Sequence, residues 1–430
     1  MCVNGKQQVL GRDYWETYAP VVSWASICLM LILSSILGPK TCQIDYTQAF
    51  PQAKLDDPVF IRVPQSWYIK DGNLYQHSDP HFNDTQHFLC LKRNTYGIKH
   101  ATHNWFQYLR SGLLELGFTQ SSTDCCLFLR KDCVIIVYVD DCLLFAPQQK
   151  TLDNVISDLS KRYILQNEGD VSAYRGVQVT KDPKAKTITL SQPGLIKELI
   201  QDLSLDSFSK GRDTPADGIL YVDTNGLPCH KNGNYRSIIG KLNYLANNTH
   251  PDISMAVHQC ARFSSAPNAL HKLAVKRIVR YLSATSGKGI TLCPTTNLTL
   301  EMYVDSDFTG MWHKEHSHLR HNVLSRTGYV ILFGGCPITW ASKLQTEITL
   351  STTESEYITL SSATRDLLPL RQILQDLDTY SFVSIPKQTS SNINNSMLTS
   401  SKIYEDSAAC IVLATMTSNF KPCTKHISIK

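Results

Sequence analysis

The first half of the chain alternates between β-like apolar runs and amphipathic helical patterns. Residues 41–63 predict strand, loop, strand: TCQIDYTQAF, then PQAKLDDP, then VFIRV. Residues 66–88 are polar and rich in His, Asp and Asn, which predicts a loop. Residues 101–118 predict a helix, because five apolar side chains fall near one face: Trp105, Leu109, Leu113, Leu116 and Phe118.

The pattern becomes more helical after residue 150 and then turns strand-rich. TLDNVISDLSKRY predicts an amphipathic helix, and YRGVQVTKDPKAKTITLSQ predicts a hairpin around Asp182-Pro183. The stretch from Tyr235 to Leu282 is helical in pattern. After Thr296 come two β-like runs, LTLEMYVDSDF and TGYVILFGG, and then a helix from about Thr352 to Leu377. The last distinct segment, TSSNINNSMLTSS from Thr389 to Ser401, is typical of a low-complexity loop.

One segment resembles a membrane helix, the 17 residues from Val21 to Leu37. It contains four Ser and ends at Gly38-Pro39. A spanning helix needs about 20 mostly apolar residues, and a signal peptide would stand at the terminus behind basic residues. We therefore predict a buried core helix in preference to a membrane segment.

Composition places the chain among globular proteins of two or three domains. It has 430 residues, 42% of them hydrophobic and 18% charged. The net charge of +5 permits a polyanionic partner without requiring one. The 14 Cys include no CxxC pair, which argues against a disulfide framework or a zinc ribbon and favours a reducing compartment.

Two adjacent carboxylates interrupt the apolar stretch VIIVYVDDCLLFA. Eleven of its thirteen residues are apolar or aromatic, and the other two are Asp140 and Asp141. Charges in such a run cost several kcal/mol unless something pairs with them. A divalent metal is the natural partner, because Mg²⁺ prefers carboxylate and phosphate oxygens. Asp45 in QIDYTQAF is the candidate third ligand, and we call Asp45, Asp140 and Asp141 the first acidic set.

The chain resembles the reverse transcriptase and ribonuclease H region of copia-type retrotransposon Pol polyproteins. The strongest signal is Tyr138-Val139-Asp140-Asp141 preceded by QIDYTQAF. Other segments resemble the family in the same order along the chain: Trp15 to Val22, Thr95 to Ala101 (with His100 where Gln is usual), Tyr174 to Val177 (with Arg175 where an apolar residue is common), Tyr235 to Gly240, Pro251 to Ile253 and His271 to Leu282.

The resemblance implies an α+β fold. It consists of a right-hand polymerase with palm, fingers and thumb, a connecting region and an α/β ribonuclease H-like domain. We expect fingers and palm in residues 1–150 and the primer grip, thumb and connecting region in 151–295. Residues 296–430 would form the ribonuclease H-like domain, truncated at its C-terminus.

The same resemblance implies roles for single residues. The first acidic set would hold two Mg²⁺ ions, with Mn²⁺ as an alternative. Phe50 would be a steric gate against the ribose 2′-hydroxyl, although spacing alone favours core packing equally. Tyr96 and Gly97 would lie near the nucleotide and template, and Lys99 would contact nucleic acid.

A basic stripe lies on the predicted helix HKLAVKRIVRYL. Lys272, Lys276 and Arg280 fall opposite an apolar stripe formed by Val275, Ile278, Val279 and Leu282. On charge alone, a solvated helix face is the favoured interpretation. The family resemblance reverses this preference and implies contacts to backbone phosphates.

A second acidic set consists of Asp305, Glu356 and Asp406. Asp305 ends one predicted strand, Glu356 opens a helix and Asp406 follows the short strand KIY. Two Asp on strands and one Glu on a helix form the frame of a two-metal nuclease. Glu356 is chosen over Glu354 because its Glu-Tyr pair matches the family, and residues two apart on a helix face different sides.

This second set departs from the family near the end of the chain. The family usually carries an acid after His-Ile, whereas this chain has Ser428 and stops at Lys430. A hydroxyl is a weaker Mg²⁺ ligand than a carboxylate. We therefore expect weak or absent cleavage of RNA in hybrids.

Four His lie close together in the sequence and could suggest a zinc site: His313, His316, His318 and His321. Their irregular spacing on a loop provides no fixed geometry, and no Cys or carboxylate completes a site. We predict that they do not bind metal.

The leading hypothesis is an RNA-directed DNA polymerase. Its expected partners are an RNA template, a DNA primer, RNA–DNA hybrid and deoxynucleoside triphosphates, and no association with a membrane is expected. The expected location is cytoplasmic, in a virus-like particle, with nuclear entry as an alternative; the oligomeric state is open. Two other hypotheses are an inactive element-derived protein that only binds hybrid, and a palm-type enzyme that uses triphosphates without a template. The start at Met1 without a protease or integrase region indicates part of a longer element.

Overall fold

A computed structural model describes residues 2–205, 211–221, 234–296, 298–314, 319–380, 382 and 401–415. The chain divides into two compact units. The first unit contains Met1–Val22 and Pro39–Val171, and the second contains Ser23–Gly38 and Ser172–Lys430. The three predicted functional domains, with boundaries at 150 and 295, stay a prediction beside this division.

The first unit is built on a six-stranded antiparallel sheet of order β10-β1-β9-β8-β7-β6. Its strands are β1 (Lys40–Tyr46), β6 (Thr119–Gln120), β7 (Leu127–Arg130), β8 (Cys133–Tyr138), β9 (Asp141–Ala146) and β10 (Leu165–Gly169). Two further strand pairs are β2 (Lys54–Arg62) with β5 (Phe88–Arg93), and β3 (Trp67–Lys70) with β4 (Asn73–Gln76). The helices of this unit are α2 (Ala49–Gln52), α3 (Ala101–Glu115) and α4 (Gln149–Ser160).

The centre of this sheet is apolar on both faces. Every residue of β8 from Cys133 to Val137 is buried, and so is every residue of β9 from Cys142 to Ala146. A strand covered on both faces shows a continuous apolar run instead of alternation. The predicted helix after residue 101 is confirmed, with Trp105, Leu109 and Leu113 buried.

The structure corrects the sequence analysis in two places. The predicted loop at residues 66–88 contains the hairpin β3–β4, which turns at Asp71-Gly72 with positive φ at both residues. Asp-Gly is a typical two-residue hairpin turn, and the runs WYIK and NLYQ beside it already carried the signal for this hairpin in the sequence. Residues 54–58, also predicted as loop, belong to β2, which pairs with β5 through an irregular register.

A third correction concerns Phe50. It does not continue the strand that carries Asp45, because Gln48 adopts a left-handed conformation with φ 51°. The chain turns there and forms the short helix α2. Phe50 therefore lies beyond the end of β1.

The second unit contains two four-stranded sheets, of order β11-β12-β13-β14 and β17-β16-β15-β18. The strands are β11 (Ala173–Tyr174), β12 (Val177–Asp182), β13 (Thr187–Ser191), β14 (Ile290–Leu292), β15 (Leu300–Asp307), β16 (Arg326–Phe333), β17 (Cys336–Leu344) and β18 (Ser401–Tyr404). The helices are α1 (Trp24–Leu37), α5 (Pro193–Asp202), α6 (Tyr235–Asn248), α7 (Ser254–Ala261), α8 (Ala269–Ala284), α9 (Thr352–Thr379) and α10 (Ala408–Thr415).

The sheet β17-β16-β15-β18 contains both antiparallel and parallel pairs, and this arrangement determines where its acidic residues lie. Strands β15, β16 and β17 form an antiparallel meander, whereas β18 pairs with β15 in parallel. Helix α9 packs against β15 and β16. The chain that leaves β18 therefore continues from the same end of the sheet as Asp305.

The apolar helix α1 is buried in the second unit, as predicted from its sequence. Residues 27–33 are at most 2% exposed. Its Trp24 indole donates a hydrogen bond to the carbonyl oxygen of Asn248 at 3.1 Å. Within the described ranges, no helix has both the length and the apolar character needed to cross a bilayer.

Candidate active sites

The strand register brings the first acidic set together. In the antiparallel pair β1–β9, Asp45 lies directly opposite Asp141. Asp140 precedes Asp141 in the tight turn between β8 and β9, and its carbonyl oxygen accepts a hydrogen bond from the Tyr46 amide at 2.9 Å. All three residues are half-buried. This register explains how acids almost 100 positions apart reach the same end of the sheet.

The turn that carries Asp140 is held in an unusual conformation. Val139 has φ 55°, a left-handed conformation that is unfavourable for a β-branched residue. Its carbonyl oxygen accepts a hydrogen bond of 2.6 Å from the Trp105 indole on α3. The Trp105 ring packs edge-on against Tyr46, with 5.2 Å between centroids. Strain of this kind persists where the surroundings hold the backbone, and here a buried Trp does so.

The electrostatics of the first acidic set show three anions without a counter-charge. Burial, together with Asp140, Asp45 and Glu168, raises the pKa of Asp141 to about 6. Burial and then Asp140 raise the pKa of Asp45. Among the described residues, none of the three carboxylates forms an ion pair. Carboxylate oxygens are hard ligands, and carboxylates without an ion-pair partner favour the binding of a divalent cation.

Phe50 and Tyr96 meet beside the first acidic set. Their ring centroids are 4.7 Å apart, Phe50 is half-buried and Tyr96 is 38% exposed. Burial, Asp140 and Asp45 raise the pKa of Tyr96, which indicates that its hydroxyl lies near the carboxylates. Gly97 has φ 96°, and a Cβ there would stand 1.8 Å from the Val3 carbonyl oxygen. A glycine is therefore required for backbone packing at this position.

The second acidic set is a closer cluster. Asp305, Glu356 and Asp406 each offer a carboxylate oxygen, and these oxygens lie within 4.8 Å of one another. Across the residues that the structure describes, this is the one group of three or more His, Cys, Asp or Glu that meets this distance. Glu356 is buried, whereas Asp305 and Asp406 are exposed. The three come from β15, α9 and the segment after β18.

The two Glu at the start of α9 have different contacts. Glu354 accepts a hydrogen bond from the Leu350 amide at 2.8 Å, and its own amide donates to the N-cap Ser351. Glu354 therefore stabilises the helix start. Glu356 is the one beside Asp305 and Asp406, as expected from the sequence.

The electrostatics of this cluster favour a cation. Burial and Glu405 are the main causes that raise the pKa of Glu356 to about 7. One carboxylate oxygen of Glu356 and one of Glu405 are buried and accept no hydrogen bond from the described residues. Buried anionic oxygens without donors are costly. The residues present therefore fit a divalent metal ion.

The predicted nucleic-acid contacts are spread over both units. In the first, Lys99 is exposed and its Nζ donates to the Tyr14 hydroxyl at 3.2 Å. In the second, Lys272 is exposed, while Lys276 and Arg280 are half-buried on α8. The apolar stripe of the same helix is buried, as predicted. The phosphate contacts assigned to these four residues stay a prediction.

Three residues near the sites were missed by the sequence analysis. Glu168 stands where the register between β1 and β10 shifts, and its charge reaches Asp141. Glu405 contributes to the second acidic set, and Trp105 supports the Val139 turn. The sequence held a signal only for Glu405, which is adjacent to Asp406. The other two depend on a strand irregularity and on helix packing.

Some predictions fall on parts of the chain that the structure does not describe. Ser428, His316 and His318 lie outside the described residues, as does nearly all of the low-complexity segment Thr389 to Ser401. The side chain of His321 is not described either. His313 packs edge-on against Tyr221, with 5.5 Å between centroids. The prediction that the four His bind no metal stays a prediction.

Comparison with known proteins assigns the family. A model of the family "Reverse transcriptase (RNA-dependent DNA polymerase)" matches residues 1–216, half of the chain. The chain belongs to this reverse transcriptase family. The matched range includes the whole first acidic set and the Phe50–Tyr96 pair.

Relatives of this reverse transcriptase extend the likeness to the second unit. The chain is 30% identical over 382 residues to the retrovirus-related Pol polyprotein from transposon RE1 of Arabidopsis thaliana, covering 88% of this chain and 24% of that protein. It is 27% identical over 443 residues to the corresponding polyprotein from transposon TNT 1-94 of Nicotiana tabacum, covering 100% of this chain and 30% of that protein.

A more distant relative is the transposon Ty1-GR2 Gag-Pol polyprotein of Saccharomyces cerevisiae, 22% identical over 78% of this chain and 19% of that protein. These matches confirm the predicted resemblance to copia-type retrotransposon Pol polyproteins. The chain spans less than a third of the length of the three polyproteins.

Proposed function

We propose that this reverse transcriptase copies RNA into DNA at the first acidic set. In this proposal the six-stranded sheet is the palm, α2 and the strands beside it belong to the fingers, and the second unit carries the thumb, the connecting region and a ribonuclease H-like domain. The observation that carries the proposal is the register of Asp45 opposite Asp141, with Asp140 in the supported turn beside them.

Each residue of the first acidic set has a role in this proposal. Asp45, Asp140 and Asp141 would hold two Mg²⁺ ions, with Mn²⁺ as an alternative, and the hydrogen bond from Trp105 would keep Asp140 in place. Divalent cations held there neutralise triphosphate charge and ease ionisation of the primer 3′-hydroxyl. Phe50 would exclude a ribose 2′-hydroxyl, with Tyr96 and Gly97 lining the nucleotide position.

The partners follow from this function. They are an RNA template, a DNA primer, RNA–DNA hybrid and deoxynucleoside triphosphates. Lys99, Lys272, Lys276 and Arg280 would contact backbone phosphates. Cytoplasmic virus-like particles, with nuclear entry as an alternative, remain the proposed location.

The second acidic set would cleave the RNA strand of hybrids weakly. Its three carboxylates and the two buried, unpartnered oxygens fit a metal ion. The chain has Ser428 where a fourth carboxylate is usual in the family. Losing one metal-holding group costs several kcal/mol of transition-state stabilisation, and about 1.4 kcal/mol is tenfold in rate.

The experiment is primer extension on an RNA template with purified protein and Mg²⁺. The parent should extend the primer with deoxynucleotides, and Asp140→Asn should abolish extension while retaining the thermal stability of the fold. Asp132→Asn is the matched control, because Asp132 is an exposed acid in the turn between β7 and β8 that pairs with Arg130 at 2.6 Å. Extension by Asp140→Asn at the parental rate would refute the assignment.

Extension by the parent would also refute the alternative hypothesis of an inactive protein that only binds hybrid. A template-independent enzyme would add nucleotides without regard to the template sequence. Omitting one deoxynucleotide at a time tests this, because a templated enzyme stops at the position that requires the missing nucleotide.

A further inference from the structure

Two arginines, one buried and one half-buried, lie close together in the second unit and belong to neither acidic set. Arg326 begins β16 and is 6% exposed, and Arg262 follows α7 and is half-buried. The buried side chain of Met311 lies between them: its sulfur is 3.0 Å from Nη1 of Arg262 and 3.9 Å from Nη2 of Arg326. A thioether is a weak acceptor, so it does not balance either charge.

The hydrogen-bond donors of both guanidinium groups are incompletely used. Nε of Arg326 and Nη2 of Arg262 are buried and have no hydrogen-bond partner among the described residues. Nη1 of Arg326 makes only long contacts, at 3.4 Å to His258 Nδ1, 3.4 Å to Ser342 Oγ and 3.5 Å to the Ser342 carbonyl oxygen. No ion pair with a carboxylate is found for either Arg in the described part of the chain.

The surrounding charges are positive with one exception. Lys343 is exposed on β17. Burial, followed by Arg326, Arg262 and Lys343, lowers the pKa of His258 to about 4. Burial and Arg326 lower the pKa of Arg262 to about 10. Asp307, opposite Arg326 in the strand register, is the one carboxylate that favours the charge of Arg326. Asp307 forms no ion pair with Arg326 in the described part of the chain, so neither guanidinium group has a paired counter-charge.

We infer that Arg326 and Arg262, with the Ser342 hydroxyl, form a binding site for a phosphate group. Guanidinium groups bind phosphate through their N–H donors, and the unpartnered Nε of Arg326 and Nη2 of Arg262 supply one such donor each. His258 is neutral near pH 7 and adds no charge. The site goes beyond the proposed function, since neither the polymerase nor the nuclease assignment uses these residues.

The position of the site suggests two sources for the phosphate. In the sheet, Asp305 lies opposite Gly328 and Asp307 lies opposite Arg326. Because side chains alternate along a strand, Arg326 lies on the same face as Asp305, two residues away. A backbone phosphate of nucleic acid bound at the second acidic set is one source, and free phosphate or a nucleotide is the other.

The first experiment measures the melting temperature of the full chain in inorganic phosphate, with EDTA and at ionic strength matched by sodium chloride. A ligand that binds only the folded state raises Tm in a saturable way, and we expect a rise of several degrees. Arg326→Met should lose this response. Arg236→Met is the matched control, because Arg236 is an exposed arginine on α6 whose Nε donates to the Ser264 carbonyl oxygen.

Removing an unpaired buried charge often leaves stability unchanged or raised. Arg326→Met should therefore melt no lower than the parent without phosphate. If this variant does not fold, Arg262→Met tests the same response at a half-buried position. Equal Tm in phosphate and chloride, or a full response in both variants, would overturn the inference.

The second experiment distinguishes the sources by measuring the Kd of an RNA–DNA hybrid. Weaker binding by Arg326→Met, together with competition by inorganic phosphate in the parent, identifies a backbone phosphate. Unchanged Kd beside a lost phosphate response identifies free phosphate or a nucleotide. Neither result depends on DNA synthesis, so failure of primer extension would count against the proposed function alone.

Discussion

The two acidic sets are assembled in different ways. In the first, two acids are adjacent in sequence and the third lies opposite them on the neighbouring strand. In the second, three acids are separated by about 50 residues each and come from strand β15, helix α9 and the segment after β18. The pairing of two neighbouring strands positions the first set, whereas the packing of a helix and a loop segment against a strand positions the second. The two should therefore respond differently to substitution.

The difference extends to burial and repulsion. Glu356 is buried with Glu405 beside it, and its pKa rises to about 7, compared with about 6 for Asp141. Each set thus stores repulsion that a divalent cation would relieve. In the second set the repulsion acts mainly on one buried helix residue, Glu356. In the first set it acts between carboxylates on two paired strands.

The largest expected effect is a separation of the two activities. Asp45→Asn should reduce DNA synthesis by about a thousandfold or more, because several kcal/mol are lost at tenfold per 1.4 kcal/mol, and should leave hybrid cleavage at the parental level. Asp305→Asn should abolish the residual hybrid cleavage and spare DNA synthesis. Both activities are measured on the same preparations; loss of both in either variant would contradict two independent sites.

The next effect is a pH-dependent gain of stability in Glu356→Gln. The pKa of Glu356 is raised from 4.5 to about 7, so the metal-free native state binds more protons than the unfolded state between these values. Its stability therefore falls as pH rises through this window. At about 1.4 kcal/mol per pKa unit, Glu356→Gln should be more stable than the parent by up to roughly 3–4 kcal/mol at pH 8 and little different at pH 4.

Urea unfolding in EDTA at the two pH values measures this gain. Glu354→Ala is the contrasting variant, since it removes the carboxylate that accepts a hydrogen bond from the Leu350 amide and should destabilise the chain. Destabilisation by Glu356→Gln at both pH values would show that its carboxylate has a structural role.

A third effect concerns sugar selection by Phe50. If the ring excludes a 2′-hydroxyl, Phe50→Ala should admit ribonucleotides and reduce discrimination roughly tenfold to a hundredfold, a range typical of steric selection in a pocket. The measurement compares kcat/KM for a deoxynucleotide and its ribonucleotide. Lower stability with unchanged discrimination would instead assign Phe50 to packing against Tyr96.

The smallest effect is expected from the support of the Val139 turn. Trp105→Phe removes the indole hydrogen bond to the Val139 carbonyl oxygen. A neutral hydrogen bond contributes about 0.5–1.5 kcal/mol, so DNA synthesis should fall by roughly threefold to tenfold. Hybrid cleavage should not change. Trp67→Phe on β3 is the control, and an equal loss in both variants would assign the effect to general stability.

The sequence alone determined the family resemblance, most of the longer helices, several strands including β1, β12, β13, β15 and β16, and the candidate members of both acidic sets. These follow from local information: periodicity predicts helices such as α3 and α9, and a carboxylate pair in an apolar run is unusual in any fold. The choice of Glu356 over Glu354 followed from the family resemblance of its Glu-Tyr pair; helix geometry implied only that one of the two would reach the other acids.

Only the tertiary structure decided the features that depend on register and packing. Because Gln48 adopts a left-handed conformation, Phe50 lies outside the strand. An irregular strand register places Glu168 near Asp141. The packing of α3 places the Trp105 indole against the Val139 turn. The sequence pattern did not predict that Arg326 is buried beside Arg262, because β16 and α7 are about 65 residues apart. A contact between distant segments depends on how the whole chain packs, and no local pattern of residues encodes it.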